Sequence, residues 1–159
     1  DGAKVGCAMK VASGISCCVQ SSTLAMAGHC ASEHDGIIDN DIEKTTYTLC
    51  NAETNVSYCA TDSTGNEIKK LTLSDITKAT HVESTGNGAL VFGQNGGNIV
   101  IINIPNNGNA EKTMTINGDG LVIDAIFRAS AQELCVITTG KNGKTAITKI
   151  NNQGKAADN

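Results

Sequence analysis

Tryptophan is absent, proline occurs once, and the aromatic residues amount to two Tyr and two Phe. A core that would usually lean on large rings must here be assembled from Val, Ile, Leu, Ala and Cys. Charge is also scarce. Lys and Arg number 12 against 16 Asp and Glu, a net −4. Such a balance offers no basic stripe to neutralise phosphates, which sets nucleic acid aside as a partner. No apolar run approaches the ~18 residues of a membrane-spanning helix, and no basic segment leads into an apolar one as in a secretory signal. Association with a membrane is expected only through an anchor outside this chain.

Glycine and cysteine are plentiful, with 17 Gly and seven Cys. The glycines point to many turns. Cys7, Cys17, Cys18, Cys30, Cys50, Cys59 and Cys135 are irregularly spaced, with no Cys-x-x-Cys pair. An odd count leaves at least one thiol unpaired. The pattern reads as reduced, buried thiols of a cytosolic protein, acting as small hydrophobes, rather than as a disulfide framework.

The second half of the chain is organised as a repeat. Gly88 to Ile104 is two β-branched runs around Gln94-Asn95-Gly96-Gly97, and Leu134 to Ile150 is two more around Lys141-Asn142-Gly143. Asn and Gly tolerate the positive φ of a hairpin turn. Another strand precedes each hairpin, Ile76 to Ser84 and Gly120 to Ser130. A similar phrase opens each unit at Gly65, Gly108 and Gly154, about 45 residues apart. Four short strands per unit at this spacing mark propeller blades. The expected fold is therefore all-β, a β-propeller of WD40-like four-stranded blades. The chain would cover about three of them, with approximate limits 1–64, 65–107, 108–153 and the start of another at 154–159. The remainder of the ring would be in another chain or missing, because open blade edges do not persist alone.

One connection breaks the pattern. After the strand ending at Ala27-Gly28, a loop of about fifteen residues replaces the short turns of the later units. Long loops on rigid scaffolds often carry function. Ala27-Gly28-His29-Cys30 matches the general-base segment of chymotrypsin-like proteases. No Gly-Asp-Ser-Gly supplies the nucleophile, and the nearest serine is Ser84. His29, Cys30 and His34 offer zinc-ligand types without the paired spacing that a structural site needs.

The same stretch resembles the cytosolic propeller of the endoplasmic-reticulum exchange factors for the Sar GTPase, the prolactin regulatory element-binding protein family. Leu24 to Gly28 is similar to the end of that family's first-blade strand. Gly36-Ile37 and Asn40 match its loop, and Ser74 to Ile104 resembles its second blade. His29-Cys30-Ala31 stands where the family has a glycine run. The resemblance implies a guanine nucleotide exchange factor, a Sar-type small GTPase as partner, and a place on the cytosolic face of the endoplasmic reticulum in COPII coat assembly. No bond-breaking catalysis would be involved. The implied partner-binding residues are Asp35, Gly36, Ile37, Asp39, Asn40 and Asp75, with a possible potassium ion in the long loop. The alternatives are a propeller interaction scaffold without exchange activity and a chymotrypsin-like protease fragment.

Overall fold

A computed structural model describes residues 16–21, 28–29, 45–51 and 55–157, with side chains from residue 45 onward. These residues are all-β and contain no helix. The strands are β1 (Ser16–Ser21), β2 (Gly28–His29), β3 (Thr46–Asn51), β4 (Val56–Thr61), β5 (Glu67–Leu73) and β6 (Lys78–Ser84). They continue with β7 (Gly88–Asn95), β8 (Asn98–Pro105), β9 (Glu111–Ile116), β10 (Val122–Ser130), β11 (Glu133–Thr139) and β12 (Thr145–Asn151). Three antiparallel sheets result, in the orders β1-β3-β4-β5, β2-β6-β7-β8-β9 and β10-β11-β12.

The sheets stack face to face, as successive blades do, and do not close into a ring. One face of the second sheet carries Ala89, Val91, Val100, Ile102 and Ile104, which pack on Leu49, Val56, Tyr58 and Leu73 of the first. Its opposite face carries Leu90, Phe92 and Ile101, which pack on Ile126, Leu134, Val136 and Ile150 of the third. Strands covered on both sides cannot alternate apolar with polar. That is why Ala89–Phe92 and Ile99–Ile102 are unbroken apolar runs, buried throughout. Among the described residues one face of the third sheet packs on the second, and on the other Val122, Phe127 and Ile147 are exposed.

Turn chemistry explains the repeated phrase. The Asp62 carboxylate accepts the N–H groups of Thr64 and Asn66, both at 2.9 Å, and Gly65 follows at φ 88°. Asn151 does the same for Gln153 and Lys155 at 2.8 and 3.1 Å, with Gly154 at φ 82°. At these two positions a side chain caps its own turn and is followed by a glycine free to take positive φ; Gly108, in the β8–β9 turn, also has positive φ, at 126°. The phrase is out of phase with the sheets by one strand: β5 closes the first sheet and β9 the second.

Two cysteines depart from expectation. Cys50 and Cys59 are disulfide-bonded, whereas Cys135 is a free, buried thiol. Irregular spacing along the chain was a poor guide, because a disulfide depends on which Cα atoms the fold brings within bonding distance.

With so few aromatics, the two tyrosines matter. Their rings lie 6.1 Å apart between the first two sheets. The Tyr47 hydroxyl donates to the Gly88 carbonyl at 2.9 Å, while the Tyr58 hydroxyl is buried without a partner. Burial pushes the Tyr58 phenol far up, and the neighbouring Tyr47 adds to this. Tyr58→Phe should therefore stabilise the fold by roughly 1 kcal/mol, because an unsatisfied buried polar group is removed at constant shape. Urea unfolding of the two proteins checks this; a loss of stability would show that the hydroxyl is satisfied.

Candidate functional site

The hairpin turns at one end of the stack build a cleft. Gly96 and Gly97 form the two-residue turn between β7 and β8, with Gly96 at φ 68°. A Cβ on Gly97 would lie 2.9 Å from the Gly120 nitrogen and 3.0 Å from the Gly118 oxygen. Glycine there lets the β9–β10 loop lie directly on the turn. Three hydrogen bonds hold it down. Leu121 N–H donates to the Gly97 carbonyl at 3.2 Å, Gly118 N–H to Asn98 Oδ1 at 3.1 Å, and Gln94 Nε2 to the Leu121 carbonyl at 3.2 Å.

The facing wall is the β11–β12 turn. Gly143 sits at φ 82° and donates to the Gly140 carbonyl at 2.9 Å, while Lys144 N–H donates to Asn142 Oδ1 at 3.0 Å. Between these two self-bonded turns lies a cleft of about 490 Å³. Gly118, Asp119, Leu121, Thr138, Gly140, Lys141, Asn142, Lys144, Thr145 and Ala146 line it. Thr138 is buried, and the two lysines are exposed. Lys141 Nζ stands 3.6 Å from Asp119 Oδ2 across the mouth, both side chains more than two-thirds exposed. Such an exposed pair contributes little to stability and is open to exchange for another partner. Two ammonium groups against one carboxylate leave the cleft locally positive in a chain of net −4.

The residues expected from sequence lie elsewhere. Asp35, Gly36, Ile37, Asp39 and Asn40 lie outside the described residues, and so does the loop suggested for potassium. Asp75 is exposed in the β5–β6 connection, where its carbonyl accepts Asn95 Nδ2 at 2.9 Å. His29 is paired through its backbone with His81 at the edge of the second sheet. Ser84, the nearest serine for a protease, ends β6; its hydroxyl accepts Gly86 N–H at 3.4 Å and its carbonyl accepts Arg128 Nη2 at 3.0 Å. The cleft lysines were passed over as turn residues. One signal was available: two of the 12 basic residues flank a single Asn-Gly turn.

Fold and site together define a stacked antiparallel β protein with a locally positive cleft at one end. The relatives it matches are of another kind than the resemblance suggested. A 43-residue segment is 58% identical to a UPF0597 protein of Oleidesulfovibrio alaskensis, covering 27% of this chain and 10% of that protein. A 44-residue segment is 52% identical to a UPF0597 protein of Phocaeicola vulgatus, covering 28% and 10%. A Klebsiella pneumoniae UPF0597 protein is 44% identical over 50 residues, 31% of this chain and 12% of its own length. The chain thus spans about a tenth of the length of the curated relatives it matches. No family model matches the chain, and no solved structure does.

These relatives are bacterial, and bacteria have neither an endoplasmic reticulum nor a COPII coat. The resemblance to the Sar exchange factors is therefore incorrect. With it fall the exchange activity, the Sar-type GTPase partner and the endoplasmic-reticulum location. The UPF0597 relatives lend no support to a WD-repeat interaction scaffold or to a protease fragment. The physical reason is plain: four-strand repeats and glycine turns are demands of sheet stacking, met by unrelated sequences alike.

Proposed function

We propose that the described β region binds a small anionic molecule, a short carboxylate with polar substituents, in the cleft between the β9–β10 loop and the β11–β12 turn. The observation that carries this reading is the pair Lys141 and Lys144 set over a braced cleft in which, among the described residues, Asp119 is the one lining carboxylate. An incoming carboxylate replaces the exposed Lys141–Asp119 contact with a charge-assisted one. Thr138, Thr145 and Asn142 offer hydroxyl and amide groups to its polar substituents, and Leu121 and Ala146 offer apolar surface to its carbons. Both walls are hydrogen-bonded before any ligand arrives, so little ordering is required on binding.

Titrating isotope-labelled protein with succinate and citrate tests this. Saturable amide shifts are expected at Gly118–Leu121 and Gly140–Ala146. The double variant Lys141→Ala, Lys144→Ala should weaken binding by about tenfold or more, equivalent to at least ~1.4 kcal/mol. Unsaturable or scattered shifts, or an unaffected double variant, would reject the reading.

A further inference from the structure

The opposite end of the stack holds a second recess, of about 480 Å³, whose lining is mostly carboxamide. It is bounded by Thr85, Asn87, Asn103, Pro105, Gln132, Asn152 and Gln153. Five of these seven residues carry carboxamides and none carries a charge. The second sheet contributes the β6–β7 turn and the end of β8. The third contributes the β10–β11 turn and the segment after β12. We propose that this recess is a binding site for a neutral polyhydroxylated ligand, such as one or two sugar residues.

The chemistry selects that class. An anion would call for Lys or Arg, a cation for Asp or Glu, and a hydrocarbon for an apolar wall, and the lining supplies none of these. A carboxamide both donates and accepts, as a sugar hydroxyl does, so facing rows of the two groups satisfy one another. The Pro105 ring supplies a small apolar surface for ring C–H groups. The volume lies within the range of small-molecule sites.

The lining is also held in place. Arg128 Nη1 donates to Asn152 Oδ1 at 2.8 Å, and Asn152 Nδ2 donates to the Ala131 carbonyl at 3.0 Å. These two bonds fix which way the amide faces, and each of its polar atoms keeps capacity for a further bond. On the other rim, Asn106 N–H donates to the Asn87 carbonyl at 2.8 Å, and Thr85 N–H donates to the Gly88 carbonyl at 3.0 Å. The β6–β7 turn is thereby tied to the end of β8.

The test uses isotope-labelled protein titrated with methyl glucoside, maltose and chitobiose, with succinate as the charged control. At least one sugar should produce saturable shifts in the side-chain amides of Asn87, Gln132, Asn152 and Gln153, where succinate produces none. Asn87→Ala and Gln132→Ala should each weaken sugar binding by about five- to tenfold, the worth of roughly one hydrogen bond. The succinate response at Lys141–Lys144 should stay unchanged in these variants, which separates this site from the cleft at the other end. Silence at the four amides with all three sugars would overturn the proposal. An equal response there to succinate would do the same.

Discussion

Arg128→Ala should lower the unfolding free energy by about 3–5 kcal/mol, the range for removing one partner of a buried ion pair. Arg128 lies on β10 of the third sheet and reaches across to the second. Its Nη2 stands 3.5 Å from Glu83 Oε2 and donates to the Ser84 carbonyl at 3.0 Å. Its Nη1 donates to the Ala131 carbonyl at 3.2 Å and to Asn152 Oδ1 at 2.8 Å. One guanidinium thus joins β6, the β10–β11 turn and the segment after β12. The Glu83 side chain is 2% exposed, so loss of the cation strands a carboxylate without solvent. Glu83 has a partial escape, since it can take up a proton, and the loss should be smaller at pH 5 than at pH 8. Denaturant unfolding at the two pH values, with the double variant Arg128→Ala, Glu83→Gln, separates the effects. The double variant should recover a large part of the loss, because no charge is left behind. A single-variant loss under ~1 kcal/mol at pH 8 would show that the guanidinium is a surface ornament.

That contact shows where sequence reasoning stops. Strands and turns were readable because their causes are local. β-branched runs prefer the pleat, and Asn-Gly pairs or Asp62 followed by Gly65 make the turns. The stacking was partly readable, since the continuous apolar runs of β7 and β8 imply cover on both faces. Nothing local announces Glu83–Arg128, an acid on a strand and a lone arginine far along the chain. The cleft is likewise assembled from three separate turns. Gly97, which admits the close approach of Gly118 and Gly120, joins two of them into one wall, and the third faces it. The disulfide-bonded state of Cys50 and Cys59 was misread for a related reason: which thiols meet is set by the fold and not by spacing in the chain. The exchange-factor resemblance failed differently. It rested on strand ends, glycines and blade rhythm, which report stacking and carry no chemistry of their own.

Glu83 also sets the expected pH dependence of the whole region. Burial pushes its carboxyl up to about 7 from an ordinary 4.5, and the charge and hydrogen bond of Arg128 only partly offset this. Between those two values the folded protein keeps a proton that the unfolded chain has released. The folded state binds more protons, so stability must fall as pH rises. The contribution is fully present below about 4.5 and is lost as pH passes through about 7. From the size of the change, the fall is about 3 kcal/mol at most. Asp62 works in the other direction and in another window. Bonds from Thr64 and Asn66 hold it below its ordinary 3.8, so its effect is confined to more acidic solution. Melting temperature should therefore decline steadily from pH 5 to 8. Glu83→Gln keeps the shape and removes the titration, so its profile across that interval should be flat. If wild type and Glu83→Gln decline in parallel, the pH dependence belongs to another group. Below pH 5, where wild-type Glu83 is already neutral, the two proteins should differ little. Above pH 7 the variant should be the more stable, because it no longer holds a buried charge whose second oxygen, Oε1, finds no partner.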